Sequence, residues 1–100
     1  MCGIAGRYNF QSGAPVSAPV VQAMCDRLRH RGPDGDGVWT AGPVGLGHRR
    51  LAIIDLSPLG AQPMHSADGR FTITFNGEIY DFDDVRHTLE GHGCRFRSRS

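Results

Sequence analysis

The chain starts on a strand. From its second residue it runs Cys2-Gly3-Ile4-Ala5-Gly6, small and apolar, and Cys2 to Phe10 reads as a strand that carries the N-terminus into a core. That places Cys2, the residue next to Met1, at the edge of a folded interior. Removal of Met1 would leave a thiol and a free α-amine on one residue. A thiol ionises near roughly pH 8.5 and an α-amine near roughly 7.7–8.0. The amine can therefore take the thiol proton directly or through one water, which makes Cys2 a candidate nucleophile carrying its own base. Position 2 would equally accept a small residue with no role, and on this run alone both readings stand.

Gln11–Pro15 is a Gly/Pro turn, after which the pattern becomes helical. Val21, Met24, Cys25 and Leu28 fall at i, i+3, i+4 and i+7 as one apolar stripe behind Ser17, an N-cap residue type. Gly32-Pro33 ends this helix after Arg27, Arg29 and Arg31, cations where the helix dipole favours them. Gly35–Ala41 and Val44–Arg50 read as a hairpin around Gly42-Pro43, and Leu51–Asp55 continues as an apolar run. Ser57–Pro63 is loop. Ala67-Asp68-Gly69 signals a tight turn before Phe71–Phe75, whose alternation with threonine predicts a half-buried strand. A second helix is expected from about Asp81, with Asp83 and Asp84 in its first turn, Val85 and Leu89 facing the core, and Gly91–Gly93 ending it. Cys94–Arg97 would begin another strand. This order predicts an α+β domain with a largely antiparallel sheet, and its two helices do not supply all the cover that the sheet needs.

Composition excludes several function classes. The net charge is +1, and all basic side chains are arginine, so the chain does not read as a generic nucleic-acid or membrane binder. Arg95, Arg97 and Arg99 form a local basic cluster that reads as a solvated strand face. No apolar run reaches the roughly 20 residues of a membrane span, and no signal peptide is recognisable, which predicts a cytoplasmic protein. The three cysteines, Cys2, Cys25 and Cys94, show neither disulfide-framework nor zinc spacing, although a Cys25–Cys94 bridge is compatible with the sequence. The five histidines, His30, His48, His65, His87 and His92, have no metal-ligand spacing.

Three further stretches can carry chemistry. Arg31-Gly32-Pro33-Asp34-Gly35 lacks the Gly-Lys-Ser/Thr ending of a phosphate loop and reads as a helix stop and turn. In Gly47-His48-Arg49-Arg50-Leu51, an arginine at a strand end can grip a carboxylate through two parallel hydrogen bonds. In Asn76-Gly77-Glu78, a side-chain amide beside a glycine N–H can stabilise an oxyanion, and Glu78 can hold an ammonium. Surface arginines and an ordinary Asn-Gly turn are the bland counterparts. His48 acting as base for Cys2, in a papain-like pair, is a further reading. A nucleophile, a carboxylate anchor, an oxyanion pair and an ammonium anchor together match an amino acid with a side-chain amide.

These residues resemble the glutaminase domain of class II glutamine amidotransferases, and among those the glutamine-hydrolysing asparagine synthetases. The resemblance rests on Met-Cys-Gly-Ile-Ala-Gly at 1–6, Arg-His-Arg-Gly-Pro-Asp-Gly at 29–35, Gly-His-Arg-Arg-Leu-Ala-Ile-Ile-Asp-Leu-Ser at 47–57, Gln62-Pro63, and Phe75-Asn76-Gly77-Glu78-Ile79-Tyr80. It implies an N-terminal-nucleophile hydrolase fold, an αββα sandwich of which residues 1–100 supply about the first half. It also implies roles: Cys2 as nucleophile with its α-amine as base, and Asn76 and Gly77 as the oxyanion hole. Arg50 would bind the substrate carboxylate, Leu51, Ala52, Ile53 and Ile54 would line the pocket, and Glu78 would hold the ammonium. The substrate would be glutamine, and the ammonia would pass to an acceptor site in a C-terminal synthetase domain that uses ATP and Mg. A full-length protein of this kind could pair as a homodimer. The family's Ser-Asp pair after the second helix would begin at Ser100, so the 100 residues alone are expected not to turn over glutamine. Asp81 stands where the family usually has asparagine. Two other readings remain beside this one: a non-catalytic glutamine- or partner-binding module, and an N-terminal-nucleophile hydrolase acting on another amide.

Overall fold

A computed structural model describes residues 2–52 and 57–98. Residues 53–55 of the apolar run, the expected pocket residues Ile53 and Ile54, and Arg99 of the basic cluster lie outside the described residues. The order is β1 (Gly3–Tyr8), α1 (Ala18–Asp26), β2 (Gly35–Ala41), β3 (Val44–Arg50), a 3₁₀ turn at Pro58–Gly60, β4 (Met64–His65), β5 (Thr72–Ile73) and α2 (Phe82–Gly91). The fold is α+β with antiparallel sheets. β3 is the centre of the larger sheet, in the order β1-β3-β2, and β4 pairs with β5 in a separate two-stranded sheet.

The β2–β3 hairpin closes between Ala41 and Val44, a two-residue connection that needs positive φ at its first position. Gly42 supplies it at φ 51°. From the other side β1 pairs with β3, Gly3 opposite Arg49 and Tyr8 opposite Val44. Because directly opposed residues share a face, Ala5, Gly45, Gly47 and Val38 look toward α1, while Ile4, Trp39, Leu46, His48 and Arg50 look away from it.

The core lies between α1 and the sheet. Val21 and Cys25 are fully buried, Val16 nearly so, and Ala5 and Val38 pack against them. This close approach depends on Gly45 and Gly47. A Cβ at Gly45 would lie 2.7 Å from both Val16 and Val21, and one at Gly47 would overlap Cys25 Sγ and stand 2.9 Å from Val21. Gly47→Ala is therefore expected to destabilise the domain by about 1–3 kcal/mol, the usual cost of overpacking. Urea unfolding followed by Trp39 fluorescence would measure it, and Cys25→Ala in the same chain should recover part of the loss by freeing that volume. An unchanged stability in Gly47→Ala would place the helix elsewhere.

Several expectations require correction. α1 ends at Asp26, and no basic residue falls in its last turn. After it the chain tightens into i→i+3 turns, with Leu28, Arg31 and Gly32 N–H donating to the carbonyls of Cys25, Leu28 and Arg29. That path brings Leu28 over Gly3, and Gly32 against the β3 backbone, which a continuing helix would not reach. Ser17 stands at the N-cap position without a side-chain cap bond.

The strand expected over Phe71–Phe75 is paired only at Thr72–Ile73. Its alternation is present but reversed: Thr72 and Thr74 are half-buried, whereas Phe71, Ile73 and Phe75 are exposed. The threonine hydroxyls find polar partners, Thr74 donating inward to the Gly47 carbonyl and Thr72 bonding Nδ1 of the exposed His65. No described element covers the aromatic side. Val85 and Leu89 do not face a core, because α2 has no buried residue. The described side-chain interactions of α2 come from Arg86, which pairs with Glu90, donates to the Ser98 carbonyl and lies over the Phe96 ring. Cys94–Arg97 is not a strand; its described link to β4 is the Arg97 guanidinium donating to the His65 carbonyl rather than a ladder. The three cysteines are free, Cys25 buried and Cys94 exposed, so the Cys25–Cys94 bridge is absent.

Candidate active site

Cys2 emerges from the start of β1, one step beyond the Gly3–Arg49 pair, which brings it alongside Arg50 and Leu51. Its half-buried thiol meets the Leu51 backbone on both sides: the Leu51 N–H donates to Sγ at 3.3 Å, and Sγ lies 3.7 Å from the Leu51 carbonyl. A sulfur held by an N–H at a strand end is positioned by backbone rather than by a flexible side chain, which suits a nucleophile.

Asp34 builds the other wall. It follows Gly32 and Pro33, which run against β3 with Pro33 bridged to Arg50. The Asp34 N–H donates to the Arg50 carbonyl at 2.9 Å, and its carboxylate accepts the Ala52 N–H at 2.8 Å. Asp34 therefore holds the backbone on both sides of Leu51, the residue that holds Cys2. On sequence grounds Asp34 belongs only to a turn. The bond that gives it this place spans 18 positions and leaves no local signal.

Arg50 lies on the sheet face away from α1 and donates from Nη1 to the Ser57 carbonyl at 2.7 Å. With Asp34, Gly35, Asp36, His48, Ala61 and Gln62 it lines a cavity of about 60 Å³. His48, at 1% exposure, is the largest fully buried side chain among the described residues. Its Nε2 is 3.3 Å from the Phe75 carbonyl. Burial pushes the imidazole below its ordinary pKa, the Phe75 carbonyl opposes that shift, and the Arg50 charge adds to it. The papain-like reading of His48 finds no support in this geometry: among the described residues, the hydrogen bonds of Cys2 Sγ are with Leu51, and that of His48 is with Phe75. Burial, followed by the nearby Asp36 charge, raises the pKa of the Cys25 thiol, which sets it apart from any nucleophilic role.

Cys2, Arg50, Leu51 and Ala52 are thus brought together. Asn76 is half-buried, Gly77 and Glu78 are exposed, and no described hydrogen bond joins these three to Cys2 or Arg50. They follow Phe75, whose N–H donates to Gln62 Oε1 at 2.6 Å and whose carbonyl meets His48, so the segment stays on the face that carries Arg50. The sequence profile of the glutamine amidotransferase domain matches residues 1–100. The chain belongs to this family.

Similar proteins place the amidotransferase domain within longer chains. Asparagine synthetase (glutamine-hydrolysing) 1 of Bacillus subtilis is 39% identical over 102 residues, covering 100% of this chain and 16% of the relative. Asparagine synthetase (glutamine-hydrolysing) 1 of Arabidopsis thaliana is 38% identical over 100 residues, covering 100% of this chain and 17% of the relative. Amidase chry2 of Gibberella zeae is 43% identical over 100 residues, covering 89% of this chain and 15% of the relative. The amidotransferase chain thus spans about one sixth of the length of these relatives. Among its described residues, no group of three or more His, Cys, Asp or Glu side chains could hold a metal ion, and no helix is long and apolar enough to cross a membrane.

Proposed function

We propose that this chain supplies the glutamine-hydrolysing half-reaction of an amide-transfer enzyme, and that the acceptor reaction is asparagine synthesis from aspartate. The observation that carries the reading is the Cys2 thiol, held at 3.3 Å by the Leu51 N–H beside Arg50 in a glutamine amidotransferase domain. The names of the asparagine synthetase relatives support the acceptor. The amidase name of the fungal relative shows that this domain type also occurs in a protein named for another activity.

With Met1 removed, Cys2 Sγ adds to the side-chain amide carbon of glutamine while its proton passes to the Cys2 α-amine. The carbonyl becomes an oxyanion, which takes hydrogen bonds from the Asn76 amide and the Gly77 N–H. The C–N bond then breaks, and ammonia leaves with the proton returned by the α-ammonium. A γ-glutamyl thioester remains on Cys2. Water, losing its proton to the same amine, adds to the thioester carbon and releases glutamate, and the thiol is restored. Arg50 pairs with the substrate carboxylate, the Leu51–Ala52 backbone beside it lines the pocket, and Glu78 pairs with the substrate ammonium.

In this reading residues 1–100 form part of an αββα N-terminal-nucleophile domain, whose further layers would cover the exposed Phe71, Ile73 and Phe75 face. ATP and Mg would serve the acceptor reaction in a synthetase domain, and the protein would work in the cytoplasm. Two measurements on the complete natural protein test the reading. Glutamine should yield glutamate and ammonia in equal amounts, and a glutamine analogue with a chloroketone in place of the amide should add its mass to the Cys2 peptide. Glutamine binding without turnover or labelling would instead make the domain a non-catalytic binding module.

A further inference from the structure

We propose that His48 is a positioning residue for the amidase step: it holds the Phe75–Asn76 peptide and so sets where Asn76 and Gly77 stand relative to Cys2. The inference rests on the glutaminase reading above and adds to it a residue with no contact to substrate.

The argument begins with how little else fixes this segment. The β4–β5 ladder ends at Ile73, and the aromatic ring of Phe75 is exposed rather than packed into a core. Among the described residues, the direct hydrogen bonds from residues 74–77 to the main sheet are two. Thr74 Oγ1 donates to the Gly47 carbonyl at 3.2 Å, and His48 Nε2 meets the Phe75 carbonyl at 3.3 Å. A third, indirect tie runs through Gln62, which accepts the Phe75 N–H at 2.6 Å. Gln62 itself is seated on β2 because Gly37 carries no side chain; a Cβ there would overlap the Gln62 carbonyl. Both peptide groups of Phe75 are thus held by side chains, His48 on one and Gln62 on the other.

The His48 bond has the more direct consequence. The Phe75 carbonyl and the Asn76 nitrogen belong to one planar peptide, so fixing the carbonyl fixes the point from which Asn76 and Gly77 project. A carbonyl oxygen only accepts, so Nε2 carries the proton, and in the neutral ring Nδ1 is left as an acceptor. Nδ1 has no partner among the described residues. A histidine retained only to fill space would not need a polar ring here, since burying an unpaired acceptor is costly. On the same strand, two residues on, Arg50 faces the same side. One rigid element therefore presents the carboxylate anchor and, through His48, the oxyanion segment. Misplacing a reacting group by about 1 Å can cost about 10²-fold in rate.

The test uses the complete natural protein and four forms: wild type, His48→Phe, His48→Gln and His48→Asn. Phenylalanine keeps the ring and loses the donor. Glutamine carries an N–H at the position of Nε2, whereas asparagine carries one at the position of Nδ1. His48→Phe and His48→Asn should lower kcat for glutamine hydrolysis by about 10–100-fold, with the glutamine KM within about threefold and the rate of Cys2 alkylation by iodoacetamide unchanged. His48→Gln should recover kcat to within about threefold of wild type. If His48→Phe does not fold, the contrast between the glutamine and asparagine forms still decides, because both are polar and differ in where the donor lies. Equal kcat in those two forms, or a kcat in His48→Phe within twofold of wild type, would overturn the inference. A wild-type protein that releases no glutamate would instead overturn the glutaminase reading on which it rests.

Discussion

Under the proposed reading, Cys2→Ala should lower glutamate release from glutamine by about 10⁴-fold or more. The thiol is the atom that forms the thioester, and removal of a nucleophile typically leaves only the residual rate provided by binding and oxyanion donors. The loss should be chemical rather than structural. Cys2 is half-buried, and its described hydrogen bonds are with the Leu51 backbone, so the substitution creates no large cavity. Unfolding free energies of the two forms should agree to within about 1 kcal/mol. Glutamine should still protect the Cys2→Ala protein against thermal unfolding, since Arg50 and the pocket backbone remain. Persistent turnover in the alanine form would remove Cys2 from the chemistry altogether.

Gly32→Ala should have the largest effect on stability, about 3 kcal/mol or more. A Cβ at Gly32 would overlap the Arg49 carbonyl carbon and oxygen and the Arg50 nitrogen, and all three belong to the backbone of the central strand. A clash with a flexible side chain relaxes cheaply, whereas a clash with β3 can relax only by moving the segment 32–34 outward. That movement breaks several interactions together. The Gly32 carbonyl accepts Arg49 Nε–H at 2.9 Å, the Asp34 N–H donates to Arg50, and the Asp34 carboxylate accepts the Ala52 N–H. Arg49 is 7% exposed and paired with Asp36 at 3.5 Å, so the loss of its Gly32 partner leaves a buried donor unmatched. For a domain of this size the expected fall in Tm is roughly 12–24 °C, measurable by circular dichroism. The Leu51–Ala52 edge that holds Cys2 should loosen with it. An unchanged Tm would mean that the 32–34 segment does not lie against β3.

Legibility in the sequence followed the range of the interactions. β1, β2 and β3 could be read nearly to the residue, because small and apolar alternation and the Gly42-Pro43 turn are local. The stripe Val21, Met24, Cys25 and Leu28 likewise located the buried face of α1, but not its end, because the turns after Asp26 answer to Gly3 and β3 rather than to helix periodicity. Phe71–Phe75 shows the opposite case. Its period of two was readable, yet the inward side is chosen by Thr74 bonding Gly47 across 27 positions, and the aromatics turn outward. Val85 and Leu89 follow helical spacing, which says that α2 has an apolar side without saying what meets it.

The candidate site divides along the same line. By itself the sequence determined the types and order of the reacting groups: a cysteine next to Met1, an arginine at the end of a strand, and the Asn76-Gly77-Glu78 run, all in the pattern of a glutamine amidotransferase domain. Those are covalent facts about neighbours in the chain. Only the tertiary structure decided that Leu51 grips the thiol, that Asp34 braces the backbone beside it, and that His48 is buried against Phe75 rather than paired with Cys2. Each of these joins residues 18 to 49 positions apart. No local propensity encodes such pairs, because their geometry exists only once the three strands and α1 have packed around Gly45 and Gly47.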